Sequence, residues 1–337
     1  MTDFFAPELI RLLVCFVILV AFAFTNAAVL VLVERKLCGH IQRRPGPFEV
    51  GPHGILQTAV DGVKLMGKQL LLPRNAEHRL FRMAPVLSFV PPIAALIVVP
   101  FSRVLQVRDL DIGVLFILSL AAVNVLALLV AGWSSANKYS LFGAIRAVAQ
   151  NVAYEIPLLL SLLTIVLWVG SFSMKEIVAA QGGMWFAFTP MGFVAFLIYF
   201  VCGVAETNRA PFDLPEAESE LTAGFHTEYS GMGFGLFFLG EYTNILLVAA
   251  IATTLFLGGW NGPLFLTTDG TGVLSTLVQM FWFLTKVYGL IVVMIWIRWT
   301  FPRVRFDQLL NFCWKVLIPI SMANLVITAV WLKLPIG

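Results

Sequence analysis

Charged residues are scarce in this sequence. They make up 12% of its 337 residues, against 59% hydrophobic. That shortage, with long apolar runs recurring along the chain, excludes a soluble protein built on one large core. The runs also lack the two-residue alternation of barrel strands. Cysteine is sparse: Cys15, Cys38, Cys202 and Cys313 form no CxxC pair and no ligand spacing, so they read as small apolar fillers. The four histidines form no HExxH pair, and there is no phosphate-binding glycine loop and no dinucleotide fingerprint. No metal, redox centre or nucleotide site is expected in this chain, and no nucleic-acid partner.

What is present is membrane-spanning helix. A span needs about 20 apolar residues, and with no water in the bilayer core it must satisfy its own backbone. The runs predict an all-α polytopic membrane protein with eight transmembrane helices: Leu9–Val33, Ala84–Val99, Ile112–Trp133, Ile156–Val169, Trp185–Ala205, Gly231–Leu257, Val273–Ile297 and Leu309–Leu332. Leu9–Val33 is too long for a signal-peptide core and ends in charges. No short repeat and no detachable soluble part is visible, so residues 1–337 read as a single integral membrane domain. Fifteen of the 22 Lys and Arg fall on loops 34–83, 134–151, 206–230 and 298–308, and four on the opposite segments. The positive-inside rule therefore puts those four loops on the inner side and both termini outside.

The loop from Glu206 to Tyr229 breaks that rule. It carries Glu206, Asp213, Glu216, Glu218, Glu220 and Glu228 against one base, Arg209, and the next span adds Glu241. Carboxylates at a membrane are costly and mark ion, proton or ligand traffic; the plain alternative is a solvated acidic loop. Asp213 before Leu214-Pro215 reads as the N-cap of a short helix, with Asp213, Glu216 and Glu220 near one face. Like charges that close raise one another's pKa. Glu34, Arg35 and Lys36 close the first span, either as membrane-edge charges or as a ligand or proton site. Ile55–Leu72 is too polar to span and reads as an amphipathic interfacial helix. On it Asp61 either pairs with Lys64 or points into a polar cavity. Glu155, at the mouth of the fourth span, fits both a helix-dipole partner and a proton-path carboxylate. Lys286, midway along the seventh span, must face protein or water.

These stretches also carry a resemblance. ERKLCGHIQRRPGP…VGPHGILQTAVDGVKL, GWSSANKY, AETNRAPFDLPEAESEL with GFHTEYSG, and WIRWTFPRVRFDQL, in that order, are similar to the signature of the H-subunit (subunit 1) family of respiratory complex I. Gln69 and Val60 depart from the commonest pattern. The resemblance implies a membrane subunit at the junction with the hydrophilic arm, forming a quinone tunnel and coupling quinone reduction to proton translocation. It maps chamber and junction roles onto Glu34, Arg35, Asp61, Arg209, Asp213, Glu216, Glu218, Glu220, Glu228 and Glu241, and the polar path into the membrane arm onto Glu155 and Glu206. Lys36 is taken with the chamber, and Ala59 and Val63 with its lipid-side entrance. Quinone is then the substrate, while NADH, FMN and iron–sulfur clusters belong to partner subunits. The expected partners are the hydrophilic-arm quinone-site subunits, the small membrane-arm subunits and the lipid bilayer. The expected location is a bacterial inner membrane, or the mitochondrial inner membrane if organellar. The alternatives are an anchor subunit of a related energy-converting hydrogenase or reduced-cofactor dehydrogenase, and an autonomous carrier, against which the lack of a half-to-half repeat counts.

Overall fold

The computed structural model describes residues 2–215, 222–263, 270 and 272–333. Every regular element among them is helical. The first helix, α1 (Thr2–Ile41), is 40 residues long. At 1.5 Å per residue that is about 60 Å, twice a hydrocarbon core, so its second end projects and carries Glu34 and Arg35 as helix rather than loop. It is followed by α2 (Gln57–Gly67), α3 (His78–Ala95), α4 (Gly113–Ser134), α5 (Lys138–Val169), α6 (Met174–Ala180) and α7 (Pro190–Glu206). After the acidic loop come α8 (Gly231–Phe256), α9 (Val273–Thr300), α10 (Phe306–Phe312), a π-helical turn at Cys313–Leu317, and α11 (Ile318–Lys333).

Among the described residues, six segments are long and apolar enough to cross a membrane: Leu13–Ile41, Gly113–Ser134, Lys138–Val169, Gly231–Phe256, Val273–Thr300 and Phe306–Lys333; Pro190–Glu206 is apolar but shorter. The span expected at Ala84–Val99 corresponds to α3, whose first turn is polar and whose body holds Pro85, Pro91 and Pro92. The largest boundary difference lies in α5. The sequence places a span start at Ile156, because Pro157 ends helices locally. Instead α5 runs unbroken for 32 residues. Proline lacks the N–H that would bond the carbonyl four residues back, and here the Cys313 thiol donates to that carbonyl, Ala153 O, at 2.9 Å. The thiol supplies the donor that the proline removes. The adjacent Tyr154 hydroxyl donates to Leu309 O at 3.2 Å.

The expected amphipathic helix is shorter than Ile55–Leu72, because the chain turns extended at Lys68. The Leu71 N–H donates to Ser230 Oγ at 2.9 Å, so this amide is held by the start of α8 and not by a helix. Gly231, at φ +53, lies where a side chain would meet Lys68 O at 3.0 Å; a larger residue would lift the linker off α8. Contacts such as this one bring the four basic loops to one end of the bundle. Glu77 N–H donates to Ser134 O, Val304 N–H to Pro211 O, and Ser140 Oγ to Phe225 O. α8 is the most enclosed span, with buried residues all round.

Candidate functional site: two chambers and a line of carboxylates

At the loop end, two large cavities lie on either side of one wall. The first, ≈ 630 Å³, lies between α1, α2 and α8, with Ala27, Val31, Ala59, Leu65 and Met66 among its apolar lining and Arg35 and Asp61 on its polar side. Arg35 Nη1 pairs with Asp61 Oδ2 at 2.6 Å, and Gln57 Nε2 donates to Asp61 Oδ1 at 3.0 Å. Burial pushes the Asp61 carboxyl up, but these hydrogen bonds and the guanidinium charge outweigh it and hold it below the ordinary aspartate value. Asp61 thus takes Arg35 as its ion-pair partner, not Lys64. The second cavity, ≈ 660 Å³, is lined by Arg209, Asp213, His226, Glu241, Arg298 and Arg303.

Phe234 and Phe238 line both cavities. The rest of the wall is a three-residue tie: buried Glu34 accepts from the Tyr242 hydroxyl and pairs with Arg298. Tyr242 lines the first cavity and Arg298 the second, so Glu34 joins the two. The second cavity is framed by two further ion pairs, Arg209–Glu241 at 3.0 Å and Arg303–Asp213 at 2.9 Å. The Arg209 guanidinium also sits 4.8 Å from the centre of the Tyr242 ring, a cation–π contact. The loop presenting Arg209 and Asp213 is fixed from α5. Gln150 Nε2 donates to Ala205 O at 2.8 Å and to Phe212 O at 2.9 Å.

Two small cavities continue from the second chamber into the bundle. Glu241 and Phe237 line the chamber and also a pocket of ≈ 10 Å³ that reaches Glu206. Glu206 in turn lines a pocket of ≈ 40 Å³ whose far side carries Glu155. Glu155 therefore sits in the middle of a long helix and lines one cavity together with Glu206, away from any helix start.

The structure thus gathers Glu34, Arg35, Ala59, Asp61, Arg209, Asp213 and Glu241 around the two chambers, and Glu206 and Glu155 along their extension. Val63 is 69% exposed and lines none of these cavities. Lys36 packs against Gly46 instead. Glu228 accepts from Asn137 Nδ2 at 2.6 Å, next to the start of α5. Glu216, Glu218 and Glu220 lie outside the described residues. Lys286 donates to the carbonyls of Leu257, Gly259 and Asn261 and sits 4.1 Å from the Trp185 ring centre. It caps the end of α8, where carbonyls have no helical partner. Arg298, Arg303 and Tyr242 were not legible as site residues. The one available signal was a basic run, WIRWTFPRVRF, able to complement the acidic loop.

Among the described residues no group of three or more His, Cys, Asp or Glu could hold a metal ion. A family model described as NADH dehydrogenase matches residues 13–329. The chain is 51% identical to the NADH-quinone oxidoreductase H-subunit of Desulfotalea psychrophila, over 96% of this chain and 98% of the relative. It is 48% identical to the protein of that name from Dehalococcoides mccartyi, over 98% and 88%. It is 43% identical to that from Phocaeicola vulgatus, over 98% and 94%. A family match over most of the length, with near half identity across whole chains, settles membership: the chain belongs to the family of NADH-quinone oxidoreductase H-subunits.

Proposed function

We propose that this chain is the membrane subunit through which a proton-translocating NADH–quinone oxidoreductase receives its quinone and passes on the charge change of its reduction. The observation that carries the reading is the shared wall. An apolar-walled cavity beside the interfacial helix adjoins a charged cavity, with Phe238 and the Tyr242–Glu34–Arg298 tie between them. An isoprenoid tail needs an apolar route, which Ala27, Val31, Ala59 and Leu65 supply. A polar head needs donors, which Arg298, Arg209 and His226 supply beyond the wall. This chain passes no electrons in this reading; the flavin, the iron–sulfur clusters and NADH belong to hydrophilic-arm partners. Reduced quinone takes up protons, and Asp213, Glu241, Glu206 and Glu155 answer by shifting theirs as a coupled set. The chain crosses the membrane eight times, with α3 and α7 as the two spans beyond the six long ones. It lies in a bacterial inner membrane with the loop end inside.

The entrance is tested by Ala59→Trp, which puts an indole into the first cavity and narrows it. The expected result is an apparent quinone KM raised about tenfold with normal assembly on native gels, the size of a lost contact of about 1.4 kcal/mol. Val63→Trp, pointing away, is expected to leave KM at the parental value. Equal KM in parent and Ala59→Trp would place the quinone route elsewhere.

Orientation has a separate check. In a background with the native cysteines replaced, an impermeant maleimide added to intact cells is expected to label Asp111→Cys and to miss Pro47→Cys. Efficient labelling at position 47 would invert the topology.

A further inference from the structure

Glu241 and Glu206 carry the proposed proton traffic, yet they line one pocket whose other polar members among the described residues are all uncharged. Asn124 and Asn244 are distinctive there, because both line this pocket and also the larger one that holds Glu155. Asn124 lies on α4 and Asn244 on α8, one turn beyond Glu241. Ser88, on α3, donates to Asn124 Oδ1 at 3.1 Å. Asn244 as a residue is 6% exposed, and no hydrogen bond among the described residues involves its side-chain amide, which lines both pockets. A buried amide in that state needs a partner, and water in the cavity can supply one. The pockets measure ≈ 10 and ≈ 40 Å³, room for about one water and for a few, respectively.

We infer that Asn124 and Asn244 are positioning residues that order a short water chain between Glu241 and the Glu206–Glu155 pair. The inference rests on the carboxylate reading above and names what spans its gap. The amides act by orientation. Each offers an N–H donor and a C=O acceptor, so a water between them is held with one lone pair towards the incoming proton and one O–H towards the next acceptor. A proton released by the Glu241 side binds that water, an existing O–H proton moves on, and the Glu206 carboxylate takes it up. The water chain ends with the same number of protons, and neither amide ionises. Turning the chain back for the next transfer needs only rotation of the waters.

The test uses the assembled complex in sealed vesicles, with quinone turnover and protons moved per electron measured together. Asn244→Leu keeps the branched shape and removes both hydrogen-bonding groups; turnover and pumping are expected to fall at least tenfold. Asn244→Ser restores a donor and acceptor and admits a further water; it is expected to recover most of the loss. Asn124→Leu and Asn124→Ser are expected to repeat the pattern. Parental activity in the leucine variants would overturn the inference, and so would serine variants as impaired as the leucine ones, since packing alone would then account for the loss. If Asn244→Leu fails to assemble, Asn244→Ala replaces it: a loss of activity supports the amide bridge and parental activity overturns it. Glu206→Gln is run in parallel. If it is impaired while the asparagine variants are not, only the bridge falls; if it too behaves like the parent, the carboxylate reading itself falls.

Discussion

Glu206→Gln is expected to yield a normally assembled complex whose quinone turnover and proton pumping are both reduced on the order of a hundredfold, the low end of what a positioned proton-transfer group contributes. Glu206 ends α7 and, among the described residues, is the only carboxylate shared by the two small pockets. Glutamine keeps its size and one acceptor but cannot release a proton. Protons arriving from the Glu241 side would find no carrier, and those on Glu155 no outlet. Because reduction and proton movement are coupled in the proposed function, the block slows electrons as well. Native gels establish assembly first; turnover and pumping in vesicles then decide. A variant that turns over at the parental rate but does not pump would make Glu206 a leak point and not a coupling element. One that does both normally would remove it from the path.

The second large effect is expected at Arg298. Glu34 is 7% exposed, and Arg298 is its only cationic partner among the described residues. Removing one member of a buried ion pair costs about 3–5 kcal/mol, because the other charge stays behind unpaired. Arg298 is a quarter exposed, and solvent screening reduces the figure to about 2–3 kcal/mol. Arg298→Ala is therefore expected to lower the thermal stability of the complex and to open the wall between the two chambers, with quinone reduction falling steeply. Arg298→Gln with Glu34→Gln removes both charges and is expected to recover much of the stability without the activity. That non-additivity, read in a double-mutant cycle of thermal inactivation, separates a lost pair from two independent defects. Strict additivity would mean that the tie is incidental.

The elements and the key pairs differ in how far they could be read from the chain. Most long helices follow from composition, since an apolar run in lipid has few alternatives. The interfacial character of α2 follows from its periodicity. The ends of helices were harder, because they depend on distant partners. Pro157 is a local stop signal overruled by Cys313, 160 positions away at the Ala153 carbonyl. α2 stops short of Leu72 where the chain turns extended at Lys68, and Ser230 takes the Leu71 amide beyond that turn. The same holds at the site. Glu34 and Arg35 were legible as candidates from their charge at a span's end. Arg298, which completes the Glu34 tie from 264 positions away, stands in an ordinary-looking membrane-edge run. Lys286 has no local cue for its role either; its three carbonyl partners belong to the end of a different helix.

α8 has one property that none of its residues has alone. Phe238 and Tyr242 reach the entrance chamber, Glu241 the charged chamber, Asn244 the smaller pocket, and Val248 and Ile251 the far pocket. All four hollows are cut against a single rod of 26 residues, about 39 Å long at 1.5 Å per residue. In the proposed function the rod would act as a camshaft. A turn of a few degrees, or a slide of a fraction of a residue, re-aims its ring, phenol, carboxylate and amide in the same instant. In the proposed function, quinone pressing on Phe238 would be linked through this one body to Glu241 and to the pocket it shares with Glu206, which stands at the end of α7.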